Sequence, residues 1–99
     1  MWRSRKYLDA VAGLRRCLVQ SPACRLNPDD PTVVAAHSDQ GEDGKGKGIK
    51  ADDSMVAAAC YDCHNWLAGP APRFDRNFYM DRGIKRTVRA MIEKGVLKV

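Results

Sequence analysis

Apolar positions along this chain fall in short runs separated by polar breaks. Tyr7, Leu8, Val11 and Leu14 recur at helical spacing and predict an amphipathic helix through about Leu14. Leu18 and Val19 read as extended, and Ser21-Pro22 as a turn, so a short hairpin would bring Cys17 and Cys24 together. Asn27-Pro28-Asp29-Asp30-Pro31 is a second turn cluster. Thr32 to Ala36 is β-branched and apolar, which predicts a strand ending at His37. Met55 to Ala59 is an apolar run feeding Cys60, compatible with a strand or a helical turn. Asn65 to Ala68 reads as helical and is stopped by Gly69-Pro70-Ala71-Pro72. Ile84, Val88, Met91 and Ile92 form the apolar stripe of a final helix that Gly95 ends, with Val96 to Val99 as a short terminal strand. No internal repeat is present.

Ninety-nine residues in this pattern make one domain, 1–99, with a limited core that a metal staple would supplement. The formal net charge of +5 favours a polyanionic partner such as nucleic acid. No apolar run approaches membrane-spanning length, and the basic start of the chain lacks the apolar stretch of a secretory signal. The expected setting is the cytosol, where thiols stay reduced and four cysteines serve more often as metal ligands than as disulfides. The cysteines are spaced Cys17-x6-Cys24, then, after a long gap, Cys60-x2-Cys63. Two such pairs can clasp one tetrahedral zinc ion. The competing readings are a disulfide pair, buried free thiols, or a redox Cys-x-x-Cys. The last belongs in an α/β layer that this short, irregular chain does not supply.

Between about residues 38 and 50 the chain turns into a long polar loop. Lys45, Lys47 and Lys50 lie there among glycines that let backbone amides approach an anion. Such a loop either grips phosphate or is simply solvated. No Gly-Lys-Ser/Thr pattern marks a nucleotide triphosphate site. Arg82, Lys85, Arg86 and Arg89 share a face of the last helix at helical spacing. They would lie along a phosphate backbone or form an ordinary exposed face. Trp2 and Trp66 can stack on bases, although Trp66 is the better candidate for core packing.

Only two histidines exist. His37 closes a strand just before the polar loop, and His64 abuts the Cys60-Tyr61-Asp62-Cys63 knuckle. An imidazole at either place can be an ordinary surface group, take a proton from water, or bind a divalent ion. The order Cys17…Cys24, Ala36-His37 after a strand, then Cys60-x-x-Cys63-His64, resembles the zinc-containing branch of the HNH (His-Me finger, ββα-metal) nucleases. Within it, the chain is similar to the small prophage-encoded YbcO-type proteins, themselves related to phage recombination-enhancement nucleases. The resemblance runs from about Lys6 to Leu67.

This resemblance implies an α+β fold: a small zinc-stapled ββα-metal domain with flanking N- and C-terminal helices. It implies that His37 is the general base that activates water, and that His64 is a ligand of a catalytic Mg²⁺ or Mn²⁺. It implies a structural Zn²⁺ on Cys17, Cys24, Cys60 and Cys63. DNA, single- or double-stranded, would be the substrate, in phage recombination and alongside a recombination partner protein. The chain departs from the family pattern in three places. Ala36 stands where many members carry a metal-binding residue before the base, and Ala68 stands where many carry another ligand one turn after the knuckle histidine. The usual asparagine between the two motifs has no clear equivalent, although Asp52 or Asp53 can assume part of its role, and Asp39 can be a ligand from the loop. The rival reading is a non-catalytic, zinc-stabilised nucleic-acid-binding module with a decayed HNH site. A third is a protein-interaction module that zinc merely holds in shape.

Overall fold

The computed structural model describes residues 2–41, 46 and 51–97. Helix α1 spans Arg5–Ala12, opened by Ser4, whose hydroxyl accepts the Tyr7 amide at 3.1 Å. It buries Tyr7 and Val11 and stops at Gly13, two residues short of the expected end. Strand β1, Val34–His37, pairs antiparallel with β2, Val56–Ala59, in the register Val34↔Ala59 through His37↔Val56. Helix α2, Tyr61–Ala68, follows β2 at once, with Cys60 as its N-cap. Helix α3, Arg73–Glu93, starts directly after the Gly-Pro break at Pro72. The described residues thus form a small α+β unit with a two-stranded antiparallel sheet and three helices. No helix among them is long and apolar enough to cross a membrane.

The centre of the fold is β2, whose four residues are all buried. Val56, Ala57, Ala58 and Ala59 make a strand with almost no side-chain bulk, so α3 can lie very close to it. A Cβ placed on Gly83 would sit 2.9 Å from the Ala57 Cβ and 3.0 Å from Val19 Cγ2. The backbone of β2 is satisfied from both sides. The Thr87 hydroxyl accepts the Ala58 amide at 3.0 Å and donates to the Gly83 carbonyl at 2.7 Å. The Ala58 carbonyl accepts from Leu18 at 2.8 Å and from Val19 at 3.3 Å. A buried strand amide without a ladder partner would otherwise cost as much as a lost hydrogen bond.

Three sequence expectations change here. The buried line of α3 is Met80, Gly83, Thr87 and Met91, not the Ile84–Val88–Met91–Ile92 stripe, of which only Met91 is buried. Periodicity scores bulk, whereas contact with an alanine strand selects small residues. The segment from Cys17 to Cys24 is not a hairpin. Leu18 and Val19 bond to β2 instead of to each other's strand, and Gln20 reverses the chain with a left-handed φ of 49°. Val96 and Leu97 form no strand. Their amides fold back onto the Met91 carbonyl, with Gly95 in the left-handed region at φ 76°. Lys98 and Val99, like the loop positions Lys45, Lys47 and Lys50, lie outside the described residues.

Close helix–strand contact predicts that Gly83→Ala destabilises the fold by about 1–3 kcal/mol through overpacking. Urea unfolding monitored by circular dichroism measures this, and an unchanged midpoint would show that the helix can back away from the strand at no cost.

Candidate metal centre and histidine cleft

Four sulfur atoms converge where the Arg15–Leu26 segment meets the β2–α2 junction. The Sγ atoms of Cys17, Cys24, Cys60 and Cys63 all lie within 4.8 Å of one another, and none is in a disulfide. Zinc–thiolate bonds of about 2.3 Å place tetrahedral sulfurs about 3.8 Å apart, so the cluster can hold one metal ion with little adjustment. The sequence-predicted ligands therefore come together as a set. They are the only group of three or more potential side-chain ligands among the described residues.

Local structure aims these thiols. Cys60 Sγ accepts the Cys63 amide at 3.5 Å, and Cys24 Sγ accepts the Leu26 amide at 3.4 Å. Both are turns in which a backbone N–H faces a sulfur and fixes its direction. The buried Ser21 hydroxyl lies 3.1 Å from Cys63 Sγ. Arg15, Gln20 and Leu26 all hold left-handed φ values, 53°, 49° and 56°, without being glycine. Each costs about 1–2 kcal/mol, and all three flank the N-terminal cysteine pair. Something must hold that loop in place, and ligation of one ion by the four sulfurs would do so directly. The Arg25–Asp62 ion pair, at 2.5 Å, adds a second tie between the two knuckles.

The thiols' acidities carry the same message. A hydrogen bond from Cys63 holds the Cys17 thiol down at about 5, against the opposing effect of burial. Cys63, as the donor and as a buried group, is pushed up. Burial, together with the negative charge of Cys17, pushes Cys24 up to about 11. One thiolate thus forms readily and resists formation of the next. A divalent cation removes that conflict and releases the remaining protons.

On the far side of α2 lies a cleft of about 150 Å³ lined by Ala36, His37, Asp39, His64, Leu67, Ala68, Arg76 and Met80. His37 reaches it from the end of β1. His64 reaches it from the residue after Cys63, one helical step round from the sulfur cluster, and Leu67 and Ala68 continue that face one turn on. The two histidines therefore share one cleft. Ala68 contributes only a methyl group there.

His37 is oriented from behind. Its Nε2 lies 2.9 Å from Asp53 Oδ1, and the carboxylate is only 6% exposed. Asp53 also receives the Ser4 amide at 2.7 Å and Arg3 Nη1 at 3.1 Å, while its own amide bonds to the Trp2 carbonyl at 3.0 Å. Burial would raise the Asp53 carboxyl, yet the bonds from His37, Ser4 and Arg3 outweigh it and hold it below the ordinary aspartate value. Asp53 is thus the aspartate that occupies the orienting position, whereas Asp52 caps the Trp2 amide at 3.0 Å. The strap Trp2–Ser4 was invisible to periodicity. Its only signal is that Ser4 is an N-cap, which brings the residues before α1 alongside residues 51–53.

The basic face of α3 divides. Arg82 Nη2 donates to the Val19 and Gln20 carbonyls at 3.4 and 3.3 Å, and its guanidinium lies 4.9 Å from the Tyr79 ring centroid. Arg86 Nη1 donates to Gln20 Oε1 at 2.9 Å. Both therefore brace the loop that carries Cys17 and Cys24. Lys85 and Arg89 stand apart from them, along an apolar groove with Met55, Ile84 and Val88. The four do not present one uniform stripe, because the partly buried pair is spent on carbonyls of this chain. Trp66 packs edge-on to Tyr79 at 5.4 Å, as a core residue would.

Comparison with known proteins gives one informative match. The chain is similar to a solved structure described as a putative bacteriophage protein from Escherichia coli str. K-12 substr. MG1655. The sequences are 27% identical, the match covers 89% of this chain and 98% of that one, and the TM-score is 0.60. No protein-family model and no curated protein matches.

Two outcomes follow from this geometry. The purified protein should contain one metal ion per chain, and chelation at neutral pH should lower its thermal transition sharply, since ligation free energy is folding free energy. An unchanged transition after the metal is removed would contradict this. The Asp53 carboxyl, followed by ¹³C NMR, should titrate below the ordinary value near 3.9. Its folded-state value is depressed, so the stability from its bonds is complete above the ordinary aspartate range and is lost as pH falls through the folded value. A midpoint above the ordinary value would contradict the assignment.

Proposed function

We propose that the protein is a metal-dependent endonuclease that hydrolyses DNA phosphodiester bonds, with a structural zinc ion on Cys17, Cys24, Cys60 and Cys63. The observation that carries the reading is the shared cleft of His37 and His64, with His37 backed by the buried Asp53. The HNH resemblance of the sequence supports the nuclease chemistry and a recombination role, and the similarity to a structure described as a putative bacteriophage protein supports a prophage setting.

In this reading His37 is the general base. With Nε2 donating to Asp53, the other ring nitrogen, Nδ1, is left to take a proton from water. The Asp53 carboxylate fixes that tautomer and stabilises the imidazolium that results. His64 and Asp39, an imidazole and a carboxylate on the same cleft, are the side chains that would hold a Mg²⁺ or Mn²⁺ ion. Such an ion supplies neutralisation of charge on the phosphate and the leaving oxygen. Basic side chains from Lys45, Lys47, Lys50, Lys85 and Arg89 would add attraction for the DNA backbone.

One observation favours a second reading, a zinc-stabilised module that binds nucleic acid without cutting it. Among the described residues no third side chain joins His64 and Asp39 as a ligand set, and Ala36 and Ala68 line the cleft where ligands would be expected. The two readings separate on plasmid DNA. The nuclease should nick it only with Mg²⁺ or Mn²⁺, and His37→Ala should lower the rate by about 10²–10⁴-fold. Salt-sensitive binding without nicking in any divalent ion would establish the module instead.

A further inference from the structure

Arg76 has no part in the chemistry above, yet it lines the same cleft as the two histidines. It stands on the first turn of α3, and its side chain is only 24% exposed. Its Nε is buried and has no hydrogen-bond partner among the described residues. Asp39 Oδ2 lies 3.4 Å from that nitrogen, close enough for charge attraction but not aligned for a hydrogen bond. A buried donor left in this way is costly unless a ligand completes it.

The surroundings narrow the ligand. A guanidinium offers a planar fork of N–H donors that matches two oxygens of a phosphate or a carboxylate. The cleft, of about 150 Å³, has room for a phosphate group or several waters. The His64 imidazole lines the same space, so an oxyanion on Arg76 would meet a further ring N–H within the cleft. Asp39 is the only acid in the lining, and its Oδ2 lies beside the guanidinium nitrogen that a phosphate oxygen would approach.

We propose that Arg76 is the phosphate-gripping side chain of the cleft, and that Asp39 competes with the phosphate for it. The identity of the phosphate as a DNA phosphodiester rests on the nuclease reading. The binding of phosphate itself does not. Asp39 holds the guanidinium in place when the cleft is empty of anion and is displaced when the anion arrives. Arg76 is then a binding residue, and its pairing with Asp39 sets how tightly a phosphate must bind to enter.

The test titrates the full chain with inorganic phosphate at constant ionic strength without added divalent ions, following the Arg76 Nε–H and the His64 ring by ¹⁵N–¹H NMR. The Arg76 signal should shift saturably. Arg76→Gln should weaken binding, read at His64, by about tenfold or more, the loss expected for a charge-assisted bond. Arg76→Lys, which keeps the charge, should weaken it less and serves if the glutamine variant does not fold. Asp39→Asn should tighten binding severalfold, a gain that a purely structural ion pair would not produce. The proposal is overturned if phosphate leaves the Arg76 signal unmoved, if Arg76→Gln binds as well as the parent, or if Asp39→Asn binds more weakly. Phosphate binding at Arg76 in a protein that never nicks DNA removes the nuclease reading alone. His37-dependent nicking with no phosphate response at Arg76 removes this inference alone.

Discussion

The four-sulfur cluster is the contact on which the rest of the molecule depends. It joins a loop that has no ladder partner of its own to the junction between β2 and α2. Without a common ligand, the buried thiols oppose one another's ionisation and three non-glycine residues hold costly left-handed conformations. With a cation, both penalties become the means of shaping a binding loop. A domain of this size has little other capital: its central strand is mostly alanine, and alanine burial contributes little per residue.

That poverty of side-chain volume is also what places the functional groups. Because β2 is thin, α3 can approach it at Gly83, and Thr87 can reach the Ala58 amide. The same approach sets Met80 and Arg76, one and two turns earlier, against the cleft that His37 and His64 share. The cluster and the cleft are then two faces of α2, with Cys63 turned to one and His64 to the other. Zinc on one side would thus orient the imidazole on the other without touching it.

Much of this was legible in the residues. The cysteine spacing, the two histidines at element boundaries, the first and last helices and the strand ending at His37 need only local rules, and the structure brings the cysteines into one cluster and the histidines to one cleft. What was not legible depends on contacts remote in sequence. Asp53 could be singled out among the acids but not distinguished from Asp52, because the difference is made by Trp2–Ser4, about fifty residues away. Arg82 and Arg86 read as a surface stripe because nothing in their spacing shows that they cap the carbonyls of Leu18, Val19 and Gln20. Arg76 was missed because the last helix is recognisable by its apolar periodicity only from Ile84 onward, while its first turns are aromatic, charged and exposed.

The most direct check on the central claim is X-ray absorption at the zinc edge of the purified protein. A shell of four sulfurs at about 2.3 Å is the predicted result. A first shell of nitrogen and oxygen, or a metal-free protein with its cysteines in disulfides, would contradict it.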